Sequence, residues 1–267
     1  MRMLTLSVSL LAFLLVAGCS NSDSPAAATT STGTFQVSLI DSPGPYTQVN
    51  IVVDSVQVHV AYGDSLANWI TLNRIPTTYD LLKLVNGAEA VIGKADIPVG
   101  HYTQLRLFLG AGCTVVVDNV AHPLTGPSGS QSGIKLTMNA DVVADVLYTI
   151  TLDFDAARSI VTTGNPNSPS YILKPVIRAV VTGTTGIVAG TVSPASSAPF
   201  VYAATSTDTI ATAADTTGGF KLRYLGPDTY SVRIVPQDTL HRDTTITGVV
   251  VSAALTTNLG TITLPAK

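Results

Sequence analysis

The sequence predicts an all-β protein with two β-sandwich-like domains. From Phe35 onward, short segments rich in Val, Ile, Thr and Tyr alternate with Gly, Pro, Asn and Asp, the residue types of strands and turns. Helix signals are scarce, and residues 80–85 form the one short helix that we expect. The strand pattern restarts around Thr182 to Gly186. We therefore assign residues 34–182 to a first β domain and residues 186–267 to a second β-sandwich.

The N-terminus has the features of an export signal. Arg2 supplies a positive charge, and Leu4 to Val16 form an apolar run that is too short to span a bilayer comfortably. The tetrad Val16-Ala17-Gly18-Cys19 resembles the lipobox of bacterial lipoproteins. That resemblance implies that residues 1–18 are removed as a signal peptide and that the thiol of Cys19 is acylated. An ordinary secretory signal is the alternative.

The residues after the cysteine indicate where the protein is held. Ser20 stands where lipoproteins of the inner membrane often carry Asp, so by the same resemblance we expect the outer membrane rather than the inner one. Residues 19–33 then form the lipidated cysteine and a flexible linker of small and polar side chains. A linker of this length reaches at most about 50 Å. The folded body is therefore expected to work close to its membrane.

The composition excludes several classes of function. The chain has 14 basic and 17 acidic residues, a net charge of -3, and it therefore offers no basic surface for nucleic acid. After Val16 no apolar stretch approaches the roughly 20 residues of a membrane span. With Cys19 acylated, Cys113 has no partner for an intramolecular disulfide. Its apolar surroundings favour a small buried side chain over a reactive nucleophile.

Alternation of apolar residues predicts the strands of the first domain. Between Val49 and Val60 the alternation changes parity, so we expect a bulge near Asp54-Ser55. Residues 124–133 are expected to form a polar loop. Further strands are predicted at Trp69 to Leu72, Val91 to Ile92, Thr103 to Leu109, Thr114 to Val117, Ile134 to Leu136, Leu147 to Phe154 and Ile172 to Val181.

The second domain divides into seven short strands at hairpin spacing, which suggests a small sandwich. They are predicted at Ile187 to Val192, Phe200 to Ala204, Thr209 to Ala213, Phe220 to Tyr224, Tyr230 to Val235, Thr244 to Val251 and Leu259 to Leu264.

The two domains share a local pattern in which a turn precedes a tyrosine that opens an alternating strand. It occurs in Ile97-Pro98-Val99-Gly100-His101-Tyr102 and again in Leu225-Gly226-Pro227-Asp228-Thr229-Tyr230. Both resemble the tyrosine corner of sandwich folds, in which the hydroxyl bonds to the preceding backbone. We therefore expect structural roles for Tyr102 and Tyr230.

Five blocks of the first domain, in order, carry a family resemblance. They are Leu39-Ile40-Asp41-Ser42-Pro43, Gly100-His101-Tyr102-Thr103-Gln104-Leu105-Arg106-Leu107, Ser132-Gly133-Ile134-Lys135-Leu136, Leu152-Asp153-Phe154-Asp155-Ala156-Ala157-Arg158-Ser159-Ile160 and Leu173-Lys174-Pro175-Val176-Ile177-Arg178. On these blocks the domain resembles a bacterial lipoprotein family known as domain of unknown function 4382. The resemblance implies a predominantly β, extracytoplasmic domain without an established activity.

The second domain resembles the carboxypeptidase-regulatory or transthyretin-like sandwich. The resemblance lies in Asp215-Thr216-Thr217-Gly218-Gly219-Phe220-Lys221-Leu222 and in Tyr230-Ser231-Val232. It implies a non-catalytic appendage whose fold is similar to that of starch-binding sandwiches. Asp228 stands where a Gly commonly precedes the Thr-Tyr pair of this family, which affects the turn geometry but not the class.

Few residues are candidates for binding or chemistry. The four histidines lack metal-ligand spacing, and no nucleophile motif of a serine hydrolase is present, so we predict no metal, cofactor or catalytic residue. Asp153 and Asp155 flank Phe154 in a strand and therefore share one face. They form either a cation site or acid pair, or a solvated face that pairs with Arg158 or Lys174, and we favour the solvated face. Asp41 is interpreted as a turn-forming side chain.

Trp69, the only tryptophan, is the remaining ligand candidate. Its ring either stacks on a sugar or belongs to the core, and we favour the core. The sequence thus predicts a non-catalytic, lipid-anchored envelope protein that acts through binding or as a scaffold, with an envelope protein or a glycan as its partner. A carbohydrate-binding lipoprotein is the alternative, supported by fold analogy. An enzyme that uses Asp153 and Asp155 is the third reading.

Overall fold

The structure is a computed structural model that describes residues 31–61, 69–126, 132–165 and 168–267. Most of these residues lie in β-strands, which confirms the predicted all-β fold class. The strands are β1 (Thr32–Ser42), β2 (Gln48–Val60), β3 (Trp69–Asn73), β4 (Thr77–Asp80), β5 (Ala90–Pro98), β6 (Gly100–Leu109), β7 (Thr114–Val117), β8 (Val120–Thr125), β9 (Ile134–Val142), β10 (Leu147–Asp155), β11 (Ile160–Asn165), β12 (Ser168–Leu173), β13 (Ile177–Val181), β14 (Gly186–Ser193), β15 (Phe200–Ala204), β16 (Thr209–Ala213), β17 (Gly219–Leu225), β18 (Asp228–Val235), β19 (Thr244–Val251) and β20 (Thr256–Thr263).

The first thirteen strands form two sheets around one apolar core. The smaller sheet has the order β13-β10-β1-β5, and the larger has the order β11-β12-β8-β7-β2-β6-β9, with β3 and β4 also paired to β2. In the smaller sheet β1 is central, parallel to β10 and antiparallel to β5. Its odd-numbered side chains Phe35, Val37 and Leu39 are fully buried in the core between the sheets.

Strand β2 contains the expected bulge. Its register opposite β6 shifts between Val53 and Ser55, while Val53 and Val56 are both fully buried. The extra residue restores the apolar face after the change of parity in the sequence, as the prediction required.

Two predictions of local structure are wrong. The region of residues 80–85 forms only a 3-10 turn at Leu81–Lys83, and the α-helix of the described chain, α1, spans Ala156–Ser159. The single strand predicted for Ile172 to Val181 is two strands, β12 and β13, in different sheets. Pro175 lies in the break between them, where it has no N–H to donate to a ladder.

The predicted polar loop at residues 124–133 lies only partly within the described residues. Its first two residues belong to β8 and residues 127–131 lie outside the described part of the chain. No range was predicted for β1, β4, β8 or β11. The strands β4, β8 and β11 are short and lie mostly exposed, so that their alternation is weak.

All seven strands predicted for the second domain are present. They form a three-stranded sheet of order β17-β14-β20 and a four-stranded sheet of order β16-β15-β18-β19 around a core of their own. No sheet of the described residues contains strands from both sides of residues 182–186. The assignment of residues 34–182 and 186–267 as separately folding domains stays a prediction, because the C-terminal domain also packs on the first.

That packing covers the outer face of the smaller sheet. Ser38, Ile40, Thr151 and Asp153, on the side of β1 and β10 away from the first core, are all less than a tenth exposed. Residues 31–267 accordingly form one compact unit. Within the described ranges, no helix has the length and apolar character needed to cross a membrane.

Candidate functional site

Asp153 and Asp155 occupy alternate positions of β10, and Phe154 between them is fully buried in the core. The shared face predicted from alternation is therefore present. The expectation that this face is solvated is wrong for Asp153, whose side chain is 8% exposed. The physical reason is the C-terminal domain, which covers this part of the sheet.

Arg178 is the partner of Asp153. The two residues lie opposite each other on β13 and β10, and an Nη of Arg178 donates to the Asp153 carboxylate at 2.9 Å. The other Nη donates to Asp208 at 3.2 Å and to the backbone oxygen of Tyr224 at 3.4 Å. The hydroxyl of Ser42 donates to the second oxygen of Asp153 at 3.4 Å. Arg178 therefore joins a buried acid of the first domain to the second domain.

Asp155 has a different environment. Its carboxylate accepts a hydrogen bond from the backbone N–H of Arg158 at 2.8 Å, which caps α1, and lies 3.6 Å from the Arg158 guanidinium. Asp155 therefore pairs with Arg158, one of the two partners that we predicted. Because Asp155 caps a helix while Asp153 belongs to a buried ion pair, the two carboxylates do not converge on one ligand. Among the residues that the structure describes, no group of three or more His, Cys, Asp or Glu side chains could hold a metal ion.

Asp41 is the second buried acid near α1. One oxygen accepts from the backbone N–H of Ala156 at 3.0 Å, and the other oxygen is buried without a hydrogen-bond partner. Burial raises the pKa of Asp41 well above its ordinary value, and the charges of Asp153 and Asp155 raise it further. Burial also raises the pKa of Asp153, against the opposing effect of Arg178. Both carboxyls are therefore positioned by folding and hidden from substrates in solution.

The turn before β5 makes the second contact between the domains. The Asn86 backbone N–H donates to the Thr212 hydroxyl at 3.0 Å, and its side-chain oxygen accepts from the Lys221 backbone N–H at 2.7 Å. Its side-chain nitrogen donates to the backbone oxygen of Gly219 at 3.1 Å. Asn86 has a φ of 53°, which this residue type tolerates better than most. β17 is an edge strand of its sheet, and Asn86 thus forms hydrogen bonds with the backbone of this open edge, as a neighbouring strand would.

Two further side chains of β17 reach the same turn. The Tyr224 hydroxyl donates to Glu89 at 2.7 Å, and Arg223 donates to the backbone oxygen of Gly87 at 3.0 Å. Sequence reasoning missed this interface. Asn86-Gly87 is a visible turn signal, but nothing in the local pattern says that the turn contacts a strand far along the chain.

Trp69 begins β3 and is half-buried. The guanidinium of Arg106 lies 3.9 Å from the centroid of its ring, and the His59 ring lies 4.9 Å away at a tilt of 55°. Trp69 is not in the buried core, where we placed it, because its strand lies beside β2 with this side chain among polar neighbours. A sugar could stack on the covered side only by displacing Arg106.

A cavity with a volume of about 530 Å³ lies in the first domain. Its walls include Leu107, Leu124 and Leu173, with Cys113 at its edge. The Cys113 sulfur is buried and accepts from the backbone N–H of Val52 at 3.3 Å. Burial raises the pKa of this thiol, which keeps it protonated and weakly nucleophilic.

The two tyrosines have the hydrogen bonds of tyrosine corners. The Tyr102 hydroxyl donates to the backbone oxygen of Pro98 at 2.8 Å, and that of Tyr230 donates to Gly226 at 3.0 Å. Both rings are buried, in the cores of their respective domains. Each tyrosine thus ties the start of its strand to the turn before it.

Replacing Tyr102 with phenylalanine should lower the free energy of unfolding by about 0.5 to 3 kcal/mol, because the Pro98 oxygen loses its donor while the ring stays in place. Urea denaturation of both proteins would measure this difference. Tyr79→Phe is a matched control, because the Tyr79 hydroxyl makes only a long, exposed hydrogen bond of 3.5 Å to the backbone oxygen of Val91. Equal stability of wild type and Tyr102→Phe would contradict the structural role.

Residues 32–175 match the family model described as Domain of unknown function (DUF4382). The match covers more than half of the chain. The chain belongs to the DUF4382 family. No curated protein matches the sequence. In the structure, the DUF4382 region comprises β1 to β12 and ends at the Pro175 break, just before the strand that carries Arg178.

Among the solved structures to which this chain is similar are a TIE protein and two pilins. The TIE protein of Bacillus anthracis has 8% identity and a TM-score of 0.23 over 88% of this chain, which spans about a third (34%) of that protein. The minor pilin GBS52 of Streptococcus agalactiae has 10% identity and a TM-score of 0.23, with 87% of this chain and 96% of the pilin covered. A double mutant of the shaft pilin SpaA from Lactobacillus rhamnosus GG has 9% identity and a TM-score of 0.24, with 90% and 98% covered.

Proposed function

We propose that this DUF4382 protein is a non-catalytic, lipid-anchored module of the bacterial cell envelope that acts through binding or as a scaffold. The observation that carries the proposal is the bridge from Asp153 through Arg178 to Asp208. Asp153 and Asp155, the best candidates for chemistry, both have structural partners, and Arg178, the partner of Asp153, also donates to Asp208 of the C-terminal domain. A compact unit of two sandwiches suits a protein that presents surfaces to partners.

The anchor is the second part of the proposal. Cys19 and the rest of residues 1–30 lie outside the described residues, so the support is the lipobox and the linker in the sequence. Two or three acyl chains would hold the protein on a membrane far longer than one chain does. We propose the outer membrane as its location, a carboxypeptidase-regulatory-like sandwich as its second domain, and an envelope protein as its partner.

Growth with an alkyne-tagged fatty acid should label the wild-type protein, and Cys19→Ala should abolish the label because the acylated thiol is gone. Labelled protein would be detected in a gel after coupling of a fluorophore to the alkyne. Cys113→Ala is the matched control and should keep the full label, since Cys113 is buried in the fold. A label that survives in Cys19→Ala would contradict the anchor.

Carbohydrate binding is the alternative, and one groove favours it. The groove has a volume of about 280 Å³ at the junction of the two domains and includes Asn86, Asp215, Lys221 and Asn258 among its lining residues. Amide, carboxylate and ammonium groups can bind sugar hydroxyls. Phe220, an aromatic residue that lines the groove, is 2% exposed and therefore offers no ring face for stacking. For this reason glycan binding ranks second.

The two functions predict opposite results. As a scaffold, the fragment Gly33 to Lys267 should give no signal above background on a glycan array, while crosslinking in intact cells should capture a protein neighbour through the DUF4382 domain. Binding at millimolar strength or tighter would instead support the alternative, if Lys221→Ala with Asn258→Ala, or Trp69→Ala, abolished it. The matched control is Lys135→Ala, a charge change on β9 of the first domain.

A further inference from the structure

The turn between β9 and β10 exposes three large apolar side chains close together. Val143, Val146 and Leu147 are 58%, 50% and 53% exposed, and we call them the apolar tip. The other large exposed apolar residues of the described chain lie farther apart along the sequence, at Ile75, Val91, Val120, Leu240, Val250 and Leu255. Exposed apolar side chains that are grouped on one turn are a feature of surfaces that contact lipid or another protein.

The apolar tip is fixed against the first residues of the folded body. The Thr34 N–H donates to the Val146 oxygen at 3.1 Å, and the Asp145 N–H donates to the Thr32 oxygen at 3.0 Å. Gly33 passes so close that a Cβ on it would lie 2.2 Å from the Val143 oxygen. The point where the chain enters the fold and the apolar tip therefore cannot move apart.

The length of chain before the fold limits how far the apolar tip can lie from the anchor. The residues between Cys19 and Ser31 span at most about 40 Å when fully extended. A lipid on Cys19 would therefore hold the apolar tip within this distance of the bilayer surface. At such short range a weak apolar contact is strengthened by its high effective concentration.

The charges around the apolar tip indicate which lipid surface it suits. Asp145 lies within the turn and is exposed, Asp141 pairs with His101 nearby, and Asp96 accepts from Thr34. Neither residues 31–34 nor residues 97–100 nor residues 142–147 include Lys or Arg. An anionic membrane would repel this end of the protein, whereas a zwitterionic surface would not.

We propose that the apolar tip rests on the zwitterionic phospholipid surface to which the lipid of Cys19 holds the protein, and that it orients the DUF4382 domain with its β9–β10 turn toward the membrane. This inference rests on the proposed lipid anchor. The shallow contact of a few apolar side chains does not hold the protein by itself, so the anchor supplies attachment and the apolar tip supplies orientation.

The test uses the full-length lipidated protein in phosphatidylcholine vesicles. A polarity-sensitive fluorophore is attached at Val146→Cys in a Cys113→Ala background, and the matched control carries the fluorophore at Leu240→Cys, a residue of the C-terminal domain that is 69% exposed. We expect blue-shifted emission and at least about threefold less quenching by iodide at position 146 than at position 240. Adding phosphatidylglycerol to the vesicles should reduce this difference.

The possible outcomes test the orienting role of the apolar tip separately from the lipid anchor. Protein that floats with the vesicles while the fluorophore at position 146 is quenched as strongly as at position 240 overturns the orientation and leaves the anchor standing. Wild-type protein that does not float with the vesicles overturns both. The labelled fragment Ser31 to Lys267, which lacks both the lipid and the apolar run Leu4 to Val16, supplies the reference for a fluorophore at position 146 in water.

Discussion

Replacing Arg178 with methionine should lower the free energy of unfolding by about 3 kcal/mol. Removal of one partner from a buried ion pair typically costs 3 to 5 kcal/mol because the other charge is left uncompensated. The Arg178 side chain is 30% exposed, which places the expected loss at the lower end of that range. Urea denaturation followed by circular dichroism would measure it.

Acid should reduce this loss. Burial raises the folded-state pKa of Asp153 above its ordinary value of 3.8, so the stability linked to this carboxyl is fully present below the unfolded pKa and is lost as pH rises through the folded pKa. Without Arg178 the folded pKa rises further and the loss is larger. The gap between variant and wild type should therefore shrink as the pH is lowered toward 4.

Arg158→Met is the matched control. It also removes an arginine from an aspartate, but the Arg158 side chain is 67% exposed, and surface pairs contribute less than about 1 kcal/mol. If Arg178→Met proved no more destabilising than Arg158→Met, the bridge would not hold the two domains together, and the observation behind the scaffold function would be lost.

Replacing Tyr224 with alanine should cost about 3 to 5 kcal/mol, the range for large aromatic side chains cut back to alanine in a core. The side chain is 3% exposed, and its hydroxyl donates to Glu89 across the domain interface. Tyr224→Phe should cost only about 0.5 to 1.5 kcal/mol, because it loses this hydrogen bond but keeps the packing. The difference between the two variants isolates the contribution of the ring.

The backbone of Tyr224 has an unusual conformation. Its φ of 61° is unfavourable for a bulky residue and is retained because packing and two interdomain contacts determine it. Limited proteolysis at the exposed turn Thr182–Thr184 would report whether the domains separate. Fragments that dissociate after cleavage in Tyr224→Ala, but stay together in wild type, are the expected result. A cost for Tyr224→Ala no larger than that for Tyr224→Phe would contradict the assignment.

The parts of the fold that depend on local pattern were predictable. The seven strands of the second domain follow short alternating segments between turns, and the corners at Tyr102 and Tyr230 follow a turn and a tyrosine a few residues apart. The bulge at Asp54 also follows from local parity. In each case the information lies within about ten residues, which is the range over which alternation and turn chemistry act.

The parts of the fold that depend on pairing between residues far apart in the sequence were not predictable. Arg178 lies opposite Asp153 only because the chain turns at Pro175 and returns to the smaller sheet, whereas Arg158 and Lys174 are closer in sequence. The burial of Asp153 depends on a domain that begins later in the chain. The sequence identified the acids but could not indicate what would cover them.

The central position of β1 constrains how the protein is made. Thr34 pairs with Leu147 and Ser42 pairs with Asp155, so the strand synthesised first in the folded body must wait for β10 before its second edge is paired. Meanwhile β1 presents an unpaired edge and apolar side chains, the combination that promotes association between unfinished chains. Such long-range pairing also slows folding. A nascent or translocating chain that stops before residue 147 therefore lacks a complete smaller sheet, because β10 has not yet been made.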